Sequence, residues 1–149
     1  MALALTLKSQ ERLILAGAVV RNTGRHTAHL LVETPTTVLR QRDILPEKQA
    51  QTPCGRLYLV VQLLYLEPAQ LETLQRLYLD LARDVHSAAP SLSPILEEVS
   101  IKVAAGDYYR ALQSAKRLME QEQILLLRAA SQDAARQEFV PSPTPVVEL

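Results

Sequence analysis

Three histidines, one cysteine, one pair of adjacent glutamates and a scatter of arginines are the residues through which this 149-residue chain could do chemistry. His26 and His29 stand three apart, but in a stretch patterned as turn and strand rather than on a helix face. A zinc site needs three or four nitrogen or sulfur ligands, and no cysteine or carboxylate lies near this pair at ligand spacing. His86 stands alone, so all three read as surface or structural histidines. Cys54 could act as a nucleophile only beside a positioned base. It falls in Thr52-Pro53-Cys54-Gly55, which matches no nucleophile signature and reads as an incidental thiol. Glu97 and Glu98 are neighbours, and neighbouring residues on a helix point different ways, so they read as a solvated face. With four glycines in the chain, no phosphate loop, dinucleotide fingerprint or nucleophile elbow can be built. These residues point to a binding protein rather than an enzyme, with no metal and no cofactor.

The cationic residues are unevenly placed. Residues 1–50 hold Lys8, Arg12, Arg21, Arg25, Arg40, Arg42 and Lys48 against four acidic side chains, a net +3. Residues 51–149 hold nine basic and twelve acidic residues, a net −3, so the whole chain is neutral. Between Lys8 and Arg42 the count is six basic to two acidic. Guanidinium is a flat, permanently charged donor fork that suits phosphates and guanine edges. The plainer reading is that these side chains solubilise a small sheet and guard its edges. All five tyrosines and Phe139 lie beyond residue 50. A sheet that stacks bases needs rings on the sheet, so the basic half must bind any nucleic acid through arginine, backbone groups and hydrogen bonds.

The elements that position these side chains follow from periodicity. Leu3, Leu5 and Leu7 alternate, as do Leu13 and Leu15, and alternation puts such residues on one face of a strand. Ala18–Arg21, Thr27–Glu33 and Val38–Arg40 are further strand candidates, the last an edge strand after Pro35. Asn22-Thr23-Gly24-Arg25 is turn chemistry. Short strands joined by polar turns suggest a meander or a small barrel. The period then changes. Arg56–Leu66 is apolar nearly all round, as in a buried helix, and Glu67-Pro68 stops it. Leu71, Leu74, Tyr78, Leu81 and Val85 make a helical apolar face. After a break at residues 88–94, Ile95–Ala105 forms a third, weaker helix that Gly106 ends, and Asp107 is placed to cap a fourth carrying Tyr108, Ala111, Leu112, Ala115, Leu118 and Met119. Gly106-Asp107-Tyr108-Tyr109-Arg110-Ala111-Leu112 echoes a tetratricopeptide helix. No second copy follows at the repeat spacing, so it reads as an ordinary helical corner. From Ser131 the chain reads as a disordered tail, with Pro141, Pro143 and Pro145 alternating with Ser142 and Thr144.

The fold class is therefore α+β. A β-rich module over residues 1–50 precedes about four helices to residue 130 and a proline-rich tail over 131–149. One cysteine allows no internal disulfide, the N-terminus lacks the charged start of a signal peptide, and no apolar run is long enough to span a bilayer. A cytoplasmic protein without membrane contact is expected.

Several segments in order resemble the FlbT family. These are Leu7-Lys8-Ser9-Gln10-Glu11-Arg12-Leu13-Ile14-Leu15, Ala18-Val19-Val20-Arg21-Asn22, Asp43-Ile44-Leu45, Thr52-Pro53, Arg56-Leu57-Tyr58-Leu59-Val60-Val61-Gln62 and Gly106-Asp107-Tyr108-Tyr109-Arg110-Ala111-Leu112. The resemblance covers residues from about 3 to 127 and leaves out the tail. It implies a post-transcriptional repressor of flagellum biogenesis that associates with the 5′ untranslated region of flagellin messenger RNA and promotes its decay. On that implication Lys8, Arg12, Arg21, Arg25, Arg40 and Arg42 are the RNA-binding candidates. The first half also looks loosely like CsrA-type regulators, through Glu11, Leu13, Leu15, Val19, Val32, Pro35, Val38 and Arg40. That likeness implies a homodimer binding RNA through edge-strand arginine. Gln41-Arg42 replaces the acidic pair of that type, which leaves open whether Arg40 or Arg42 takes the arginine's place. The rival expectation is an adaptor whose helical half grips flagellin or a flagellar regulatory protein in an apolar groove.

Overall fold

In a computed structural model, which describes residues 2–138, five strands precede four helices. The strands are β1 (Leu3–Leu7), β2 (Arg12–Leu15), β3 (Ala18–Arg21), β4 (Ala28–Val32) and β5 (Val38–Arg40). The helices are α1 (Pro53–Leu66), α2 (Leu71–Ala88), α3 (Ser93–Ala104) and α4 (Tyr108–Glu138). The α+β class and each expected strand are present.

The strands do not form a meander. β1 pairs antiparallel with β4, and β2 pairs with both β3 and β5. Ala16 and Gly17, both at positive φ, make the two-residue turn between β2 and β3, the turn whose twist matches paired strands. The two sheets close over a small core of Leu5, Leu7 and Leu13, with Leu15, Val20, Leu30, Val32 and Val38 around it. Period-two alternation explains this core, because Leu5 and Leu7, and likewise Leu13 and Leu15, share a face.

The opposite face of the β3-β2-β5 sheet meets the helices. Leu39 belongs to the helical core, and Ile14, opposite it in register, packs against the same cluster. In that core Leu57, Val61, Val99, Ala111, Ala115 and Leu118 are fully buried. α4 lies against both α1 and α3, and α2 packs on α1.

Helix ends explain their own positions. α1 begins three residues before the expected Arg56, at Pro53, because Thr52 Oγ1 accepts the Gly55 N–H at 3.0 Å and proline suits a first helical position. Glu122 of α4 adds a second cap by accepting the Cys54 N–H at 3.0 Å, which places a carboxylate at the positive end of α1. α3 ends at Gly106, φ +76°, where Gly106 N–H donates to the Val103 carbonyl and Asp107 N–H to that of Lys102. This is the Schellman arrangement that glycine favours. α4 runs to Glu138, so residues 131–138 are helical where a tail was expected, since Ala129, Ala130, Ala134 and Ala135 are strong helix formers. The alternating prolines lie outside the described residues. Among those residues no helix is long and apolar enough to cross a membrane.

α1 is not apolar all round. Tyr58, Gln62 and Tyr65 fall on one side at helical spacing, and each bonds the main chain of residues 38–45. Tyr58 Oη donates to the Asp43 carbonyl. The Gln62 amide accepts from Leu45 N–H at 2.8 Å and donates to the Leu45 carbonyl at 3.2 Å. Tyr65 Oη accepts from Val38 N–H at 3.0 Å and donates to its carbonyl at 3.1 Å. Tyr65→Phe deletes that hydroxyl and strands two partly buried backbone groups. It should lower stability by about 1–3 kcal/mol, read as a lower urea midpoint, and an unchanged midpoint would show that water replaces the hydroxyl without loss.

Candidate functional site

Topology gathers the cationic side chains. β2 runs antiparallel to β3 and β5, so its first residue, Arg12, lies beside the ends of both neighbours. Arg21 closes β3 and Arg40 closes β5, with Arg42 two residues on. The end of β1 lies beside the start of β4, which brings Lys8 and Arg25 to the same pole of the barrel. The loops that carry them are tied together. Gln10 N–H donates to the Asn22 carbonyl at 2.7 Å, and Ser9 Oγ to the Gly24 carbonyl at 2.6 Å. The Asn22 amide donates to the carbonyls of Leu7 and His26 at 2.9 and 2.8 Å, and its oxygen accepts the Gly24 N–H. That is the self-capped turn expected of Asn.

Arg12 and Arg21 are direct cross-strand partners. Like charges directly opposite each other on a sheet are destabilising. Among the described residues neither has a carboxylate within ion-pair distance, and the same holds for Lys8, Arg25 and Arg40. Two acidic groups lie nearby. Glu11 accepts the Lys8 main-chain N–H at 2.9 Å. Asp43 lies 2.9 Å from Lys116 Nζ, closer than the 3.8 Å to Arg42 Nε. With Glu11 the one acidic residue between Lys8 and Arg25, the pole carries a net positive charge.

The six candidates are not equivalent. Lys8, Arg12, Arg21, Arg25 and Arg42 are exposed. Arg40 instead sits opposite Leu13 on the inner face and donates from Nη1 to the Thr6 carbonyl at 3.0 Å. It ties β5 to β1. The side chain of Gln41 accepts the Arg12 N–H at 2.8 Å and holds the start of β2 to the segment after β5.

Residues from the helical half join the pole, which sequence periodicity did not indicate. Lys116 and Tyr109 of α4 reach Arg42 and Asp43 across a hollow of about 390 Å³. A second hollow of about 360 Å³ runs from Arg42 past Arg40, Tyr65 and Tyr109 to the outer end of β1. A third lies between Arg42 and the Lys8–Glu11 turn. Arg42 borders all three. The strands themselves carry no aromatic ring, as the sequence shows, but α1 and α4 place Tyr65 and Tyr109 beside them.

The other reactive side chains are placed apart. His29 is on the exposed outer face of β4, and His86 Nδ1 lies 2.8 Å from Ser93 Oγ. No group of three or more His, Cys, Asp or Glu that could hold a metal ion occurs among the described residues. Cys54 is buried, and desolvation, then hydrogen bonding to Glu122 and the charge of that carboxylate, push its thiol well above the usual range. A buried neutral thiol is inert.

These features define a class: a small two-sheet barrel docked on a helical bundle, with a cationic pole at their junction. Within that class the chain belongs to the FlbT family, described as flagellar protein FlbT, whose match covers residues 3–126. It is 39% identical over 125 residues to the probable flagellum biosynthesis repressor protein FlbT 1 of Bradyrhizobium diazoefficiens, covering 84% of this chain and 85% of that one. It is 34% identical over 128 residues to the probable flagellum biosynthesis repressor protein FlbT of Rhodopseudomonas palustris, covering 86% of this chain and all of that one. Identity is 32% over 127 residues to the flagellum biosynthesis repressor protein FlbT of Caulobacter vibrioides, covering 82% of this chain and 87% of the relative. No solved structure matches.

Two outcomes follow. Arg40→Ala should cost about 1 kcal/mol of stability by deleting the bond to β1, whereas Arg42→Ala should stay within about 0.5 kcal/mol of the parent, both read by urea unfolding. Equal effects would place Arg40 among the free surface charges. The Cys54 thiol should resist iodoacetamide at neutral pH in the native protein and react promptly in urea.

Proposed function

We propose that this protein is a cytoplasmic repressor of flagellum biosynthesis that acts on messenger RNA. Its cationic pole binds the 5′ untranslated region of flagellin mRNA and commits the message to decay. The observation that carries this reading is the pair Arg12 and Arg21, held opposite each other with no carboxylate partner among the described residues. A polyanion relieves that repulsion, and Lys8, Arg25 and Arg42 extend the same field. The relatives' names as flagellum biosynthesis repressors agree with it.

The mechanism is binding without chemistry. Guanidinium and ammonium groups neutralise phosphates and release counterions, so affinity falls as salt rises. A leader held on the pole blocks the ribosome or leaves the message open to nucleases. Arg42 and Arg12 are the substitutions to test, because Arg40 also holds the barrel together. Arg12→Ala with Arg42→Ala should weaken leader binding at least tenfold in gel shift and lower the salt slope by about 0.7 for each phosphate no longer neutralised. Unchanged affinity in a variant with native circular dichroism would remove the pole from the account.

One observation favours a protein-binding role beside this one. Ile124 and Leu127 are 40% and 58% exposed, on either side of Leu125, which packs against the bundle core. Flagellin or a flagellar regulatory protein is the partner such a surface would take. Partner capture that survives nuclease, with no RNA crosslink, would favour the adaptor over the RNA regulator.

A further inference from the structure

We infer that Tyr109 is a base-stacking residue, and that the cleft between the barrel and α4 holds unpaired nucleotides of a single-stranded RNA. This rests on the RNA reading above and names where that RNA runs once it leaves the cationic pole.

The placement of Tyr109 is unusual for its neighbourhood. Tyr108 beside it packs against the helical core, whereas Tyr109 is 44% exposed in the first turn of α4. Its ring leans on Tyr65, with centroids 5.8 Å apart and planes inclined at 49°. Tyr65 is itself immobilised by its two bonds to Val38. Tyr109 is thus an exposed ring with a rigid support, which is what a stacking platform needs. Base–aromatic stacking tolerates any sequence, because every base has a π-face.

The surroundings suit a nucleotide. The two hollows that meet at Tyr109, about 390 and 360 Å³, each fall in the size range of small-ligand sites. Arg42 borders both, and Lys116 stands on the far side of the first. The sole carboxylate in the lining, Asp43, is offset by Lys116 at 2.9 Å. Gln113, also in the lining, offers an amide that both donates and accepts, as a base edge requires. Because Arg42 borders the hollow beside Lys8 as well, the cationic pole and the cleft form one continuous track. A base within a duplex is already stacked and cannot lie on Tyr109, so the cleft selects single strands.

The test uses the full chain, a short fluorescein-labelled single-stranded oligoadenylate and a duplex RNA of equal length. Fluorescence anisotropy gives affinity. With five tyrosines and no tryptophan in the chain, tyrosine emission reports stacking directly. Tyr109→Leu keeps a helix-forming apolar side chain against Tyr65 and should weaken oligoadenylate binding by about tenfold, the loss of one stacked base. Tyr109→Phe should keep the parent affinity. The parent's tyrosine quenching on binding should diminish in both variants, and duplex binding should barely change in either. Equal oligoadenylate affinity in the parent and Tyr109→Leu, with Arg12→Ala/Arg42→Ala still impaired, would overturn the stacking role and leave the cationic pole standing. Failure of the parent to bind any RNA would overturn both.

Discussion

One line of side chains on α1 holds the molecule's two halves in register. Tyr58, Gln62 and Tyr65 present polar atoms from a largely apolar helix, and all are spent on the main chain of residues 38–45. Apolar packing between Leu39, Ile14 and the helical core would permit sliding, because it is non-directional. Five hydrogen bonds between those three side chains and that segment do not. Buried polar groups are costly when half-satisfied and specify one arrangement when fully satisfied. Here no buried side-chain nitrogen or oxygen among the described residues lacks a partner.

The electrostatics follow from that register. Residues 38–45 carry Arg40, Arg42 and Asp43, so fixing this segment also fixes how far the sheet's positive end stands from α4. It brings Asp43 to within 2.9 Å of Lys116, closer than the 3.8 Å to Arg42. Asp43 is thereby held away from Lys8, Arg12, Arg21 and Arg25, which have no carboxylate within ion-pair distance among the described residues. Exposed ion pairs contribute little to stability, so the lack of carboxylate partners adds little to the cost of the Arg12–Arg21 repulsion. The charge is then available to a ligand.

Much of the fold was legible from the chain alone. Alternation at Leu3, Leu5 and Leu7 and at Leu13 and Leu15 located the strands and their inner face. The spacing from Leu71 to Val85 located α2, and Gly106-Asp107 located the corner before α4. Strand partners were not legible, because the pairing of β1 with β4 depends on how two sheets close on each other rather than on any local pattern. The role of Gln62 was not legible within a run that read as apolar nearly all round, since a polar residue that bonds a distant backbone leaves no periodic trace. The same limit applied at the pole. The six basic candidates were visible as a charge excess, but the tie from Arg40 to Thr6 and the arrival of Tyr109 and Lys116 from α4 are products of tertiary packing alone.

The central claim is that RNA lies on the pole where β2 starts and β3 and β5 end. Ultraviolet crosslinking of the flagellin leader RNA to the purified protein, with attachment points mapped by mass spectrometry, addresses it most directly. The account predicts attachments within residues 8–25 and 40–43 and at Tyr109. Attachments confined to α2 and α3, or none with leader present in excess, would contradict it.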